Sequence, residues 1–156
     1  MTQVALTISL RTILEIIETA VAVWAIVDTL RQRRTIRFLK KRMRMLQAAQ
    51  DFDRVAELAV GLGASLANQG QEALEHASRL RRELAAARGA WGDLLGNDES
   101  PKIDLAVSKA VKIEETIIET GNGIVGGLAA LLQKQTAWIC SLSSEIAGRM
   151  QNRDNA

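Results

Sequence analysis

Two side chains limit the covalent and metal chemistry open to this chain: His76 is its only imidazole and Cys140 its only thiol. A Ser-His-Asp or Cys-His nucleophile has to be built on His76, which stands in a polar run far from Cys140 in sequence. A structural zinc site takes several Cys or His ligands, and a di-iron bundle takes two Glu-x-x-His motifs; one Cys and one His supply neither. Gly121, Gly123 and Gly126 do spell Gly-x-Gly-x-x-Gly, but after a helical apolar series and not after a strand, so the string lacks its dinucleotide-binding context; no Walker or Gly-x-Ser-x-Gly sequence occurs. The expectation is a non-enzyme without metal or cofactor. With a single thiol, and so no intrachain disulfide, a reducing cytoplasmic setting is expected as well.

What remains is the chemistry of binding. Eight of the fourteen residues 31–44 are basic and none is acidic, although the formal charge of the whole chain is only +2. Arg33, Arg34, Arg37, Lys40, Lys41 and Arg44 are the candidate binding residues. On a helix Arg33, Arg37, Lys40 or Lys41, and Arg44 share a face, opposite Ile36, Leu39, Met43 and Leu46. A basic amphipathic segment of this kind suits an anionic membrane surface, an acidic partner or nucleic-acid phosphates. Nucleic acid is the least favoured, because Phe38 is the only aromatic residue in the run and no stacking platform is visible. The competing expectation is a solvated face neutralised by Asp51, Asp53 and Glu57 of a following helix.

The basic run follows directly on residues 4–30, whose stripes Ile13, Ile16, Ala20, Val23, Val27 and Leu10, Ile17, Trp24 leave only a narrow polar line of Glu15, Glu18 and Thr29. A helix that is apolar nearly all round seeks burial on most sides. Its length would span a bilayer, which takes about 20 residues, but Arg11, Glu15, Glu18 and Asp28 interrupt it. An acidic residue near mid-membrane costs about 2.5–3.5 kcal/mol on an insertion scale, so a permanent span is not expected. Nor is a secretory signal, because the opening Met-Thr-Gln-Val-Ala carries no basic residue. Two readings remain: the central helix of a bundle, or a helix that lies in a membrane interface or inserts conditionally; Trp24 is the candidate helix-packing or self-association residue.

The third feature is a glycine cluster at 121–127, in which Gly123 and Gly127 form a Gly-x-x-x-Gly spacing within a weakly charged stretch. Such spacing lets a second helix approach closely, and each glycine costs about 1 kcal/mol relative to Ala inside a helix. The cluster is therefore expected to be a packing notch or hinge inside the bundle, or else a membrane-active or self-association element. His76, between Glu72, Glu75 and Arg79, reads as a solvated helix residue, and Cys140 as a small buried hydrophobe.

The elements that must position these residues are helices. Apolar residues recur every three or four positions at Phe52, Val55, Ala59, Leu62, Leu66, again at Ala73, Ala77, Leu80, Leu84, Ala87, Trp91, Leu94, and again at Ile103, Ala106, Ala110, Ile113, Ile117, then Ile124, Leu128, Leu131. No sustained two-residue alternation supports a strand. Gly96 to Pro101 reads as a firm turn, with Ser100 as N-cap and Pro101 in the first helical position. A second boundary is inferred where the series Ile36, Leu39, Met43, Leu46 loses phase and restarts at Phe52, with Asp51 or Asp53 as cap. Residues 5–49, 51–95 and 102–150 then make three rods of similar length, folded up-down-up. If Gly61, Gly63, Gly70 or the glycine cluster breaks its helix, four to six shorter helices result. The expected fold is all-α, an elongated antiparallel helical bundle forming one domain over residues 1–156. The expected function is that of a self-associating bundle acting at a membrane surface. The alternative is a soluble adaptor or assembly subunit.

Overall fold

The computed structural model describes residues 2–67, 72–121 and 126–152, including the side chains of Glu15 and of residue 17 onward. The chain is all-α: α1 spans Thr2–Ala67, α2 Ala73–Trp91, α3 Glu99–Thr120 and α4 Gly126–Asn152, with no strand among the described residues. Its contacts divide it into two units, Met1–Arg42 and Met43–Ala156.

The second unit holds the core, and the apolar series of the sequence build it. Phe52, Val55, Ala59, Leu62 and Leu66 of α1 meet Ala73, Ala77, Leu80, Leu84 and Ala87 of α2, and Ile103, Ala106, Ala110, Ile113 and Ile117 of α3, all buried. Complete burial of a Leu, Ile or Phe side chain stabilises by about 1.5–3 kcal/mol, and the alternating alanines let the helix axes approach. On α4 the core stripe is Leu132, Ile139, Leu142, Ile146 and Met150, whereas Leu131, placed on the apolar stripe by its spacing from Ile124 and Leu128, is exposed.

Polar contacts fix the direction of each helix. Arg44 pairs with Asp93 at 2.9 Å, the Trp91 indole N–H donates to Asp51 at 2.7 Å, and Ser65 meets His76 at 3.3 Å, so α1 and α2 run antiparallel. Between α2 and α3, Ser78 donates to Glu114 at 2.5 Å, Arg81 pairs with the same carboxylate, and Arg88 donates to Asp104 at 2.6 Å. From α3 to α4, Lys109 lies 5.4 Å from the Trp138 ring and Arg149 pairs with Glu99 at 3.4 Å. From α4 back to α1, the Gln133 amide donates to the Gly63 carbonyl at 3.5 Å. Consecutive helical segments thus alternate in direction.

Three expectations about boundaries are corrected. The expected break at Asp51 or Asp53 does not exist, because α1 continues through it to Ala67. The loss of phase marks two stripes on one helix: Ile36, Leu39, Met43 and Leu46 are exposed on one side, while Ala48, Phe52 and Val55 are buried on the other. Three rods accordingly become four helices, since 51–95 is divided between α1 and α2, and 102–150 between α3 and α4. Gly61 and Gly63 lie inside α1 without breaking it. A Cβ at Gly61 would sit 3.5 Å from His76, and one at Gly63 3.7 Å from Thr136, both ordinary contacts. Gly70 lies outside the described residues.

The turn before Pro101 is present, but α3 starts at Glu99 rather than 101, and Ser100 is inside the helix. The N-cap position is Asp98, which makes no side-chain cap hydrogen bond, and the Glu99 carboxylate ties down the preceding turn instead. It is buried, accepts the Gly96 N–H at 2.7 Å and is held by Arg149. At the other end of α3, Gly121 takes φ 57° and donates its N–H to the Ile117 carbonyl at 3.0 Å, a conformation that a residue with a Cβ resists.

Candidate functional site

Within the unit Met1–Arg42, the described side chains of α1 face solvent. Ile17, Val21, Val23, Trp24, Ile26, Val27 and Leu30 are exposed, Trp24 by 69%. The expectation that this helix is the buried centre of a bundle is therefore corrected for the described side chains. The core is assembled from Ala48 onward and Trp24 takes no part in it.

Helical geometry sorts this surface into rows, since residues three and four apart lie on one face. One row runs Val23, Ile26, Leu30, Arg33, Arg37, Lys40, with Arg34 and Lys41 beside it. It is apolar for two turns and then basic for two. A second row runs Ile17, Ala20, Trp24, Val27 before reaching Arg31. A shallow hollow lined by Val27, Leu30, Arg31 and Arg34 lies where apolar and basic residues meet. The polar residues between them are satisfied on their own helix. Thr19, Thr29 and Thr35 donate to the carbonyls of Glu15, Ala25 and Arg31 at 2.7, 2.8 and 3.1 Å, and Gln32 donates to Asp28 at 2.8 Å.

The six candidate basic residues divide into two groups. Arg33, Arg34, Arg37, Lys40 and Lys41 are exposed and have no ion-pair partner among the described residues. Arg44 is held within the second unit: its guanidinium donates to both Asp93 oxygens, at 3.0 and 2.9 Å, and lies 5.9 Å from the Trp91 ring centroid. The acids expected to neutralise the run are not on a following helix. Asp51, Asp53 and Glu57 belong to α1 itself, and Asp51 is engaged by Trp91.

At the glycine cluster, Gly123 lies outside the described residues. Gly127 is exposed and a Cβ added there meets nothing within 4 Å, so it forms no packing notch among the described residues. His76 is half-buried rather than solvated. Its Nδ1 lies 2.9 Å from the Glu72 carbonyl and 3.3 Å from Ser65, whose hydroxyl donates to Gly61. This Ser65–His76 contact joins the two ends of the connection between α1 and α2, and sequence spacing gave no sign of it. Cys140 is half-buried against the core.

Among the described residues no helix is long and apolar enough to cross a membrane, and no group of three or more His, Cys, Asp or Glu side chains is placed to hold a metal ion. Comparison with family models, curated proteins and solved structures returns no match.

Proposed function

We propose that this chain is a non-catalytic, self-associating helical bundle that docks peripherally on anionic membrane surfaces through one face of α1. The observation that carries the reading is the row in which the exposed Val23, Ile26 and Leu30 lead directly into the exposed Arg33, Arg37 and Lys40, which have no ion-pair partner among the described residues, with Arg34 and Lys41 alongside. An interfacial helix buries its apolar face about 5–10 Å into the boundary between headgroups and acyl chains. Val23, Ile26 and Leu30 are 55%, 61% and 53% exposed, so this apolar area is free to be buried there. Each basic residue near an anionic leaflet adds about 1 kcal/mol, and five of them about 5 kcal/mol at low salt. The Thr and Gln side chains, already bonded to their own helix, add little desolvation cost.

The test is co-sedimentation of the full chain with vesicles of phosphatidylcholine alone or mixed with phosphatidylserine. Retention is expected only on the mixed vesicles, falling as salt rises, and lost in an R33E/R37E/K40E/K41E variant. Equal retention on both vesicle types, or a variant that binds as the parent does, overturns the reading. Retention by DNA or RNA with a steep salt dependence and no vesicle binding also overturns it.

A further inference from the structure

The buried positions of α1 carry a register that extends beyond the core. Ala48, Phe52, Val55, Ala59, Leu62 and Leu66 are each no more than 2% exposed, and they alternate in steps of four and three. The same alternation continued toward the N-terminus passes Met45, Lys41, Phe38, Arg34 and Arg31 and arrives at Val27, Trp24, Ala20 and Ile17. One heptad register therefore holds two apolar blocks, separated by a stretch with Lys41, Arg34 and Arg31 at seam positions. In the first block the seam is covered by neighbouring helices. In the second, Ile17 is 52%, Trp24 69% and Val27 43% exposed. A seam repeating every 3.5 residues is the pattern by which one helix packs against another.

We propose that the second block pairs with the same block of a second copy of this chain, antiparallel. Self-complementarity supports a second copy. Antiparallel pairing centred on Ala22 sets Ile17 across from Val27 and Trp24 across from Ala20, so the largest side chain of the block faces the smallest, twice over by symmetry. Charge decides the direction. A parallel pair would place Arg31 against Arg31, Arg34 against Arg34 and Lys41 against Lys41 inside the seam, and would align eight cations with eight. In the antiparallel pair the two basic runs leave the contact at opposite ends. In that register Arg31 of each copy falls two positions from Glu15 of the other, and of the eight cations only Arg33 lies across from another, Arg11.

The contact is short. Two helices touching over about three turns bury less than the roughly 1,200–2,000 Å² of a standard interface, so a weak, concentration-dependent dimer is expected. The seam row lies about a third of a turn from the row of Val23, Ile26, Leu30 and Arg33, so pairing leaves the proposed membrane face open.

Sedimentation equilibrium of the full chain without lipid, from low micromolar to several hundred micromolar, is expected to show a reversible monomer–dimer equilibrium. Trp24→Glu is expected to weaken it by about tenfold or more, with unchanged thermal unfolding by circular dichroism because Trp24 is outside the core. Direction is read by disulfide trapping in a Cys140→Ala background, where chains carrying Ile17→Cys and chains carrying Val27→Cys should cross-link to each other faster than either does to itself. A monomer at every concentration overturns the proposal, as does a stoichiometry other than two, a Trp24→Glu chain that dimerises like the parent, or preferential self-linking of Ile17→Cys. Vesicle binding plays no part in these readouts, so failure here leaves the membrane reading to be judged on its own test.

Discussion

Arg37 and Arg44 belong to the same basic run and stand on the same helical row, yet replacing them by Ala is expected to have opposite consequences. Arg44 makes a two-pronged contact with Asp93, at 3.0 and 2.9 Å, with side chains 48% and 59% exposed, and lies 5.9 Å from the Trp91 ring. An ion pair at that exposure contributes about 0.2–1 kcal/mol after solvent screening, and an exposed cation–π contact about 0.5–1 kcal/mol. Arg44→Ala should therefore cost the bundle roughly 1–2 kcal/mol. For a unit of this size each kcal/mol moves the midpoint by about 3–6 °C, giving a fall of roughly 3–12 °C. Vesicle affinity should change by less than about twofold, because the guanidinium is already committed to Asp93. Arg37 is exposed and without an ion-pair partner among the described residues. Arg37→Ala should leave the melting midpoint in place and weaken binding to phosphatidylserine vesicles about fivefold, corresponding to about 1 kcal/mol. Thermal melts by circular dichroism and vesicle titrations on the two variants, run in the same low-salt buffer, check both halves. If Arg44→Ala weakens vesicle binding as much as Arg37→Ala and leaves the melt unchanged, the division of the basic run into a structural and a lipid-facing part is wrong.

The two described ends of the connection between α3 and α4 should respond differently to a methyl group. Gly121→Ala forces a Cβ onto a φ of 57° and should lower stability by about 1–2 kcal/mol, whereas Gly127→Ala meets open space and should leave stability equal or slightly higher, both read by chemical denaturation. In a titration followed by carboxyl carbon NMR, Asp104 should have its midpoint below the usual aspartate range, because the Arg88 guanidinium donates a hydrogen bond to its ionised form. Since folding lowers that pKa, the stabilisation is present above the unfolded-state value and is lost as pH falls toward the folded one. Arg88→Ala should return the midpoint upward, and an unmoved midpoint would contradict the assignment.

Helix content was legible in the sequence because it is a local property. The three-four spacing from Phe52 to Leu66, from Ala73 to Ala87 and from Ile103 to Ile117 names the core residues of three helical segments before any neighbour is known, since a helix exposes or buries whole stripes. The adjacency of an apolar stretch to a cation-rich run was legible for the same reason. The number of helices was not. A phase shift at 46–52 is equally compatible with a turn and with two stripes on one continuous helix, and only the presence of neighbours on one side, absent on the other, separates them. Spacing likewise could not tell that Arg44 is held, because its partner Asp93 is 49 residues away and is brought near by the antiparallel return of α2. Nor could it tell that Trp24 stays in solvent. Residue type states that an apolar surface prefers cover, but which surfaces receive it depends on how many helices the chain can bring to one place. Here the core is complete from Ala48 onward, and the residues before it keep the same pattern without the cover.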